Sequence, residues 1–176
     1  MKKLSCVMAA FIVFILQSAV LPFIFNGVNQ PNLIFVFVVL MALHHGQRIG
    51  IWTALLGGFC QDVIIGNFFG LHLLPYLIIA IVCSYLGRDI DKDQWILTLL
   101  IVLGATECCL VLNCIILFAS GQFIHVASYL FEFSIPMLIY HGILMIPVDR
   151  VVWRLRREDS YYGWSVAGRW REHIHA

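Results

Sequence analysis

From residue 4 to residue 149 the chain is a succession of apolar runs, at about 4–25, 30–45, 49–66, 70–87, 95–119 and 127–149, broken only by short polar interruptions. A helix that crosses a bilayer needs roughly 17–25 predominantly apolar residues. Only the second run falls short, with an apolar stretch from Pro31 to Leu43. Of the 176 residues, 61% are hydrophobic and 12% charged, and the mean hydropathy is +0.91. A soluble domain carries about 25% charged and 45–50% apolar residues, so this much apolar surface must be covered by lipid. The formal net charge of +1 gives no reason to expect a nucleic-acid partner.

Lysine and arginine decide whether the short run crosses. With six spans and the N-terminus inside, Lys2, Lys3, Arg48, Arg88, Lys92, Arg150, Arg154, Arg156, Arg157, Arg169 and Arg171 all fall on the cytoplasmic side, which is all eleven basic residues. If the second run did not cross, Arg48, Arg88, Lys92 and the six tail arginines would lie outside, against the positive-inside rule. The expected fold is therefore an all-α membrane protein of six transmembrane helices with both termini cytoplasmic. It divides into a membrane domain over 1–149 and a tail over 150–176. Trp52, Trp95 and Trp153 fall at the inner ends of the third, fifth and sixth spans, the headgroup level that indole prefers. The tail adds Trp164 and Trp170 among its arginines, a composition suited to the anionic inner membrane surface.

The start Met-Lys-Lys resembles a signal peptide, but the apolar run continues past Gln17-Ser18-Ala19 to Phe25, which predicts an uncleaved first helix. The outer connections, around Asn26–Gln30, Gly66–Gly70 and Ser120–Val126, are short and carry no Asp, Glu, Lys or Arg. Cys6, Cys60, Cys83, Cys108, Cys109 and Cys114 form no C-x-x-C pair and read as small apolar filler. There is no G-x-S-x-G, H-E-x-x-H or glycine-rich phosphate loop. The adjacent His44 and His45, at an inner helix end, read as surface histidines. Neither an enzyme nor a cofactor is expected.

Three acidic residues lie within spans: Asp62, Glu107 and Glu132. A charged side chain at a membrane centre costs about 2.5–3.5 kcal/mol on insertion scales, so each needs a reason. Counting outward and back around a turn centred near Phe123 sets Glu107 level with Ile139 and Tyr140, which makes His141 or the Tyr140 hydroxyl its expected partner. The pair either serves a proton relay or solute contact, or hydrogen-bonds two helices together. Glu132 falls level with Asn113 and Cys114. Asp62 lies one turn before Gly66, where it can reach helix-start N–H groups around Gly70, or His72, and pin the outer hairpin.

Most of the chain, and most strongly the stretch from Pro31 to Gly87, resembles the rod shape-determining protein MreD family of bacterial inner-membrane proteins. The resemblance rests on Pro31-Asn32-Leu33, Ala42-Leu43, Gly46, Arg48, Gly50, Gly57-Gly58, Asp62, Gly66 and Gly70-Leu71. Asn32 stands where the family has Asp, losing a charge but keeping capping ability. The resemblance implies a non-enzymatic component of the cell-elongation machinery. It would work in the lipid bilayer beside an MreC-like scaffold, the actin-like filament protein MreB and the glycosyltransferase and transpeptidase that build lateral peptidoglycan. It also implies a fold similar to the six-helix substrate-binding subunits of energy-coupling-factor vitamin transporters, which supplies a second reading as a solute-binding transport subunit. Such a subunit should gather its polar groups into one place, whereas the sequence distributes them over separate hairpins.

Overall fold

A computed structural model describes residues 2–25, 30–65, 69–89, 94–121 and 126–155, and these are helical with no strand among them. Gly66 and the tail residues Arg156, Arg157, Trp164 and Trp170 lie outside the described residues. The helices are α1 (Lys2–Ile15), α2 (Leu21–Phe25), α3 (Leu33–His45), α4 (Gln47–Ile65), α5 (Leu73–Leu86), α6 (Trp95–Ala119) and α7 (Val126–Leu155). A π-helical turn, Leu16–Val20, joins α1 to α2 with helical backbone on both sides, so the first apolar run is one continuous rod.

The helix at the centre is the short one. All thirteen residues of α3 are buried, including both histidines at its end. It packs against α4, α5 and α7, with further contacts to α1 and α6. A helix that is apolar on every side belongs inside a protein or a membrane, and α3 has protein on all its sides. Thirteen residues at 1.5 Å each reach about 20 Å, short of the roughly 30 Å hydrocarbon core. By length and composition the helical stretches Cys6–Phe25, Trp95–Ala119 and Tyr129–Leu155 can cross a membrane, while α3 and α5 are shorter apolar helices. A short helix wrapped by neighbours can be tolerated at membrane depth because they, and not lipid, meet its polar ends.

Burying Leu or Val against protein instead of lipid gains little hydrophobic energy, so dispersion and close fit hold such a bundle together. The closest approaches run through glycine. A Cβ on Gly58 would lie 2.6 Å from the Cα of Leu73, which is how α4 and α5 come together. A Cβ on Gly87 would lie 1.9 Å from the Leu43 carbonyl oxygen, which draws the end of α5 onto α3. Facing outward are large apolar side chains such as Phe23, Phe118 and Phe131, at 85%, 64% and 79% exposure. They form the lipid-facing surface that the composition demands. α7 runs without a break past the expected boundary at Asp149 and ends at Leu155, so the start of the tail is helical.

Candidate functional site

Polar side chains from six helical segments meet at one level of the bundle, at the buried start of α3. A helix start leaves backbone N–H groups without intrahelical partners, and here they lie where water does not reach. Asn32 caps α3, its Oδ1 accepting from Phe35 N–H at 3.0 Å. The Leu33 N–H donates to Gln17 Oε1 at 2.7 Å, and Gln17 Nε2 donates to the Pro31 carbonyl at 3.3 Å. Gln17 sits in the π-helical turn of the first rod and is buried, so this turn fastens the first rod to α3.

His141 completes the cap from α7. Its Nε2 accepts from the Asn32 N–H at 3.2 Å, and its Nδ1 lies 2.9 Å from Thr106 Oγ1 on α6. The Thr106 hydroxyl donates to the Val102 carbonyl at 2.9 Å and so accepts from the ring, which assigns the neutral tautomer protonated on Nδ1. Asn32 Nδ2 also donates to the hydroxyl of Tyr76, a fully buried side chain on α5. The Phe35 ring packs 5.3 Å from Tyr76 and 5.5 Å from His141, sealing the cluster from the core side.

Asp62 joins this level through His72, whose ring meets that of Tyr76 edge-on at 6.0 Å. The Asp62 carboxylate accepts from the backbone N–H groups of Gly70 and His72, both at 2.8 Å, and of Leu73 at 3.3 Å. His72 Nδ1 lies 2.9 Å from its Oδ1. Gly70 adopts φ +100°, a left-handed conformation that side chains disfavour, and this turns the chain back over the carboxylate. Asp62, 3% exposed, thus caps the start of α5 from α4.

The expected pairing of Glu107 with His141 is not what the structure shows. Glu107 Oε1 instead accepts from the Ser134 hydroxyl, and His141 turns to Thr106 and Asn32. A depth count cannot see rotation: successive residues of an α-helix are about 100° apart, so Thr106 faces the core while its neighbour Glu107 does not. Ser134 and His141, two turns apart, share one face of α7. A double-mutant cycle is therefore expected to give about 0.6 kcal/mol for Glu107 with Ser134, the mean for membrane hydrogen bonds. The same cycle for Glu107 with His141 should give close to zero. An equal coupling to both would contradict the geometry.

His44 and His45 are corrected too, since each is 1% exposed and neither is a surface residue. Protein encloses α3 to its last turn, and the inner turns of α7 supply partners: Asp149 Oδ1 lies 2.7 Å from His44 Nε2, and the Val152 carbonyl 3.3 Å from His45 Nε2. The scattering of polar groups over separate hairpins is likewise overturned, because Gln17, Asn32, Asp62, His72, Tyr76, Thr106 and His141 converge. Sequence reasoning passed over Gln17, Tyr76 and Asp149. The signal available for Gln17 was an amide inside an apolar run, which seeks a partner in the membrane.

Of the remaining expected residues, Pro31 is buried and offers its carbonyl to Gln17, Gly58 is buried under Leu73, and Arg48 and Arg154 are exposed. Glu132 is exposed on α7. Among the described residues no group of three or more His, Cys, Asp or Glu could hold a metal ion. The polar layer ties its members to one another across helices, which fixes the register of the first rod, α3, α4, α5, α6 and α7.

A family model described as rod shape-determining protein MreD matches residues 2–157. No curated protein and no solved structure matches the chain.

Proposed function

The chain belongs to the MreD family of rod shape-determining proteins, and from that premise we propose that it is a multi-pass scaffold of the bacterial inner membrane that organises lateral peptidoglycan synthesis during cell elongation. The family carries a role in rod-shape determination, and the match from residue 2 to residue 157 is the observation that carries this reading. The geometry supports a holding role: buried polar groups bond to one another across helices and leave the outer helix faces apolar. The partners we assign are other membrane proteins of the elongation complex, an MreC-like scaffold and the glycosyltransferase–transpeptidase pair. They would be held through those faces, with a basic, aromatic tail resting on the inner leaflet. It performs no catalysis of its own.

We assign six crossings with both termini cytoplasmic, α3 being carried through the bilayer inside its neighbours, while α5 packs on α3, α4 and α6 and turns Ile78, Val82 and Leu86 outward. The placement of all eleven basic residues on one side supports this topology. A reporter active only in the periplasm, fused after Ala176, should be silent; activity there would overturn the six-span arrangement.

One observation favours the transport reading. Polar groups do converge, and the buried Gln30 Oε1, His44 Nδ1, Gln61 Oε1 and Asn113 Oδ1 have no hydrogen-bond partner among the described residues. A solute cup, however, needs such groups directed at one space, whereas these stand on four different segments, Gln30 and His44 at opposite ends of α3. A bound vitamin on protein purified from native membranes would reverse this judgement.

A further inference from the structure

The inner end of α7 packs on His44 of α3 and carries, beside that contact, a cavity to which no partner has yet been assigned. Asp149, Arg150, Trp153 and Arg154 line a cavity of about 430 Å³. Residues four apart on a helix lie on one side, so Arg150 and Arg154 present their guanidinium groups one turn from each other. Both are exposed, and neither pairs with a carboxylate among the described residues.

Among the described residues of the wall, the acidic one, Asp149, is already engaged. Asp149 Oδ1 lies 2.7 Å from Nε2 of the buried His44, so its charge is engaged with the protein interior. The indole of Trp153 is fixed from below by the His44 ring, at a centroid distance of 4.5 Å and an interplanar angle of 40°. The result is an apolar indole shelf flanked by two planar cations. Guanidinium presents a rigid fork of donors that matches a phosphate bidentately.

The level of the cavity says which phosphate it meets. Arg48 at the start of α4 and Arg88 beyond the end of α5 are exposed, Arg88 lying 4.8 Å over the Tyr85 ring. Trp52 and Trp95 are 61% and 59% exposed. Arginine heads and indoles together mark the headgroup layer. We propose that this cavity is a binding site for an anionic phospholipid of the cytoplasmic leaflet. Its phosphodiester sits between Arg150 and Arg154, and its glycerol backbone lies on Trp153. The assignment of leaflet rests on the topology proposed above; the binding chemistry does not.

The test is a lipid titration of the full-length protein in detergent, read by native mass spectrometry, with phosphatidylglycerol against phosphatidylcholine. Wild type should retain phosphatidylglycerol in preference, and rising salt should weaken that preference alone. Arg150→Gln with Arg154→Gln should lower phosphatidylglycerol affinity roughly 30-fold, at about 1 kcal/mol for each basic residue near an anionic surface. Arg150→Lys with Arg154→Lys should keep most of it. Arg88→Gln, outside the cavity, should lower it far less than the Gln pair does. Melting temperature in detergent, measured on each variant, separates lost binding from lost folding. If the Gln pair fails to fold, the Lys pair and the salt series on wild type decide. Unchanged phosphatidylglycerol binding in a folded Gln pair, equal retention of phosphatidylcholine, or displacement by an equal concentration of orthophosphate would each overturn the proposal.

Discussion

Asp62→Leu is expected to lose on the order of 3–5 kcal/mol of stability, because it removes one acceptor from several donors at once, each worth about 1–3 kcal/mol. The carboxylate accepts from three backbone N–H groups and the His72 ring, all within 3.3 Å. A leucine leaves those half-buried donors without their acceptor, and each donor stranded away from water costs about 1–3 kcal/mol. Set against a total of roughly 5–15 kcal/mol for a folded domain, the change removes a large share of the stability. Asp62→Asn should fall between the two, because its one carbonyl oxygen can still accept while its NH2 faces further donors. Thermal unfolding in detergent, followed by circular dichroism, checks the order wild type above Asn above Leu. A Leu variant that melts with wild type would show that the cap holds nothing.

Gly87→Ala is the second large effect. The added methyl would meet the backbone of α3, with the Leu43 carbonyl oxygen at 1.9 Å and its carbon at 2.7 Å. A rotating side chain could yield at such distances, but a helix backbone cannot. Overpacking costs about 1–3 kcal/mol and sometimes more, and a clash with main chain belongs at the top of that range. Gly104 supplies the control, since a Cβ there meets nothing within 4 Å. Gly104→Ala should be neutral or gain up to about 1 kcal/mol through helix propensity. Equal melting of the two alanine variants would contradict the close approach of α5 to α3.

How much of this was legible in the sequence depends on the range over which each interaction acts. Asp62 caps a helix start eight to eleven residues away, and spacing alone brings it to Gly70 and His72. Apolar runs marked most of the helices. Pro31 to Leu43 looked too short to cross because a length count assumes a lipid-facing helix, whereas α3 is enclosed by its neighbours. The facing of side chains across the bundle was the illegible part. Depth matching placed Glu107 and His141 near each other, but one residue of rotation gave His141 to Thr106. Gln17, Asn32 and Tyr76 are 15 to 59 residues apart and meet only once α3 is packed. The burial of His44 was hidden for the same reason, its partner Asp149 being 105 residues along the chain.

The central claim is that this membrane bundle serves cell shape by holding other proteins, and shape is what measures it most directly. Depletion of the protein in its own host, followed by microscopy and labelling of new cell wall, should turn rods into swelling, rounded cells whose side-wall synthesis has lost its organisation. Wild-type protein supplied in trans should restore the rods, and Asp62→Leu should restore them poorly. Cells that stay rod-shaped through full depletion, and instead acquire a nutrient requirement relieved by one vitamin, would contradict the claim.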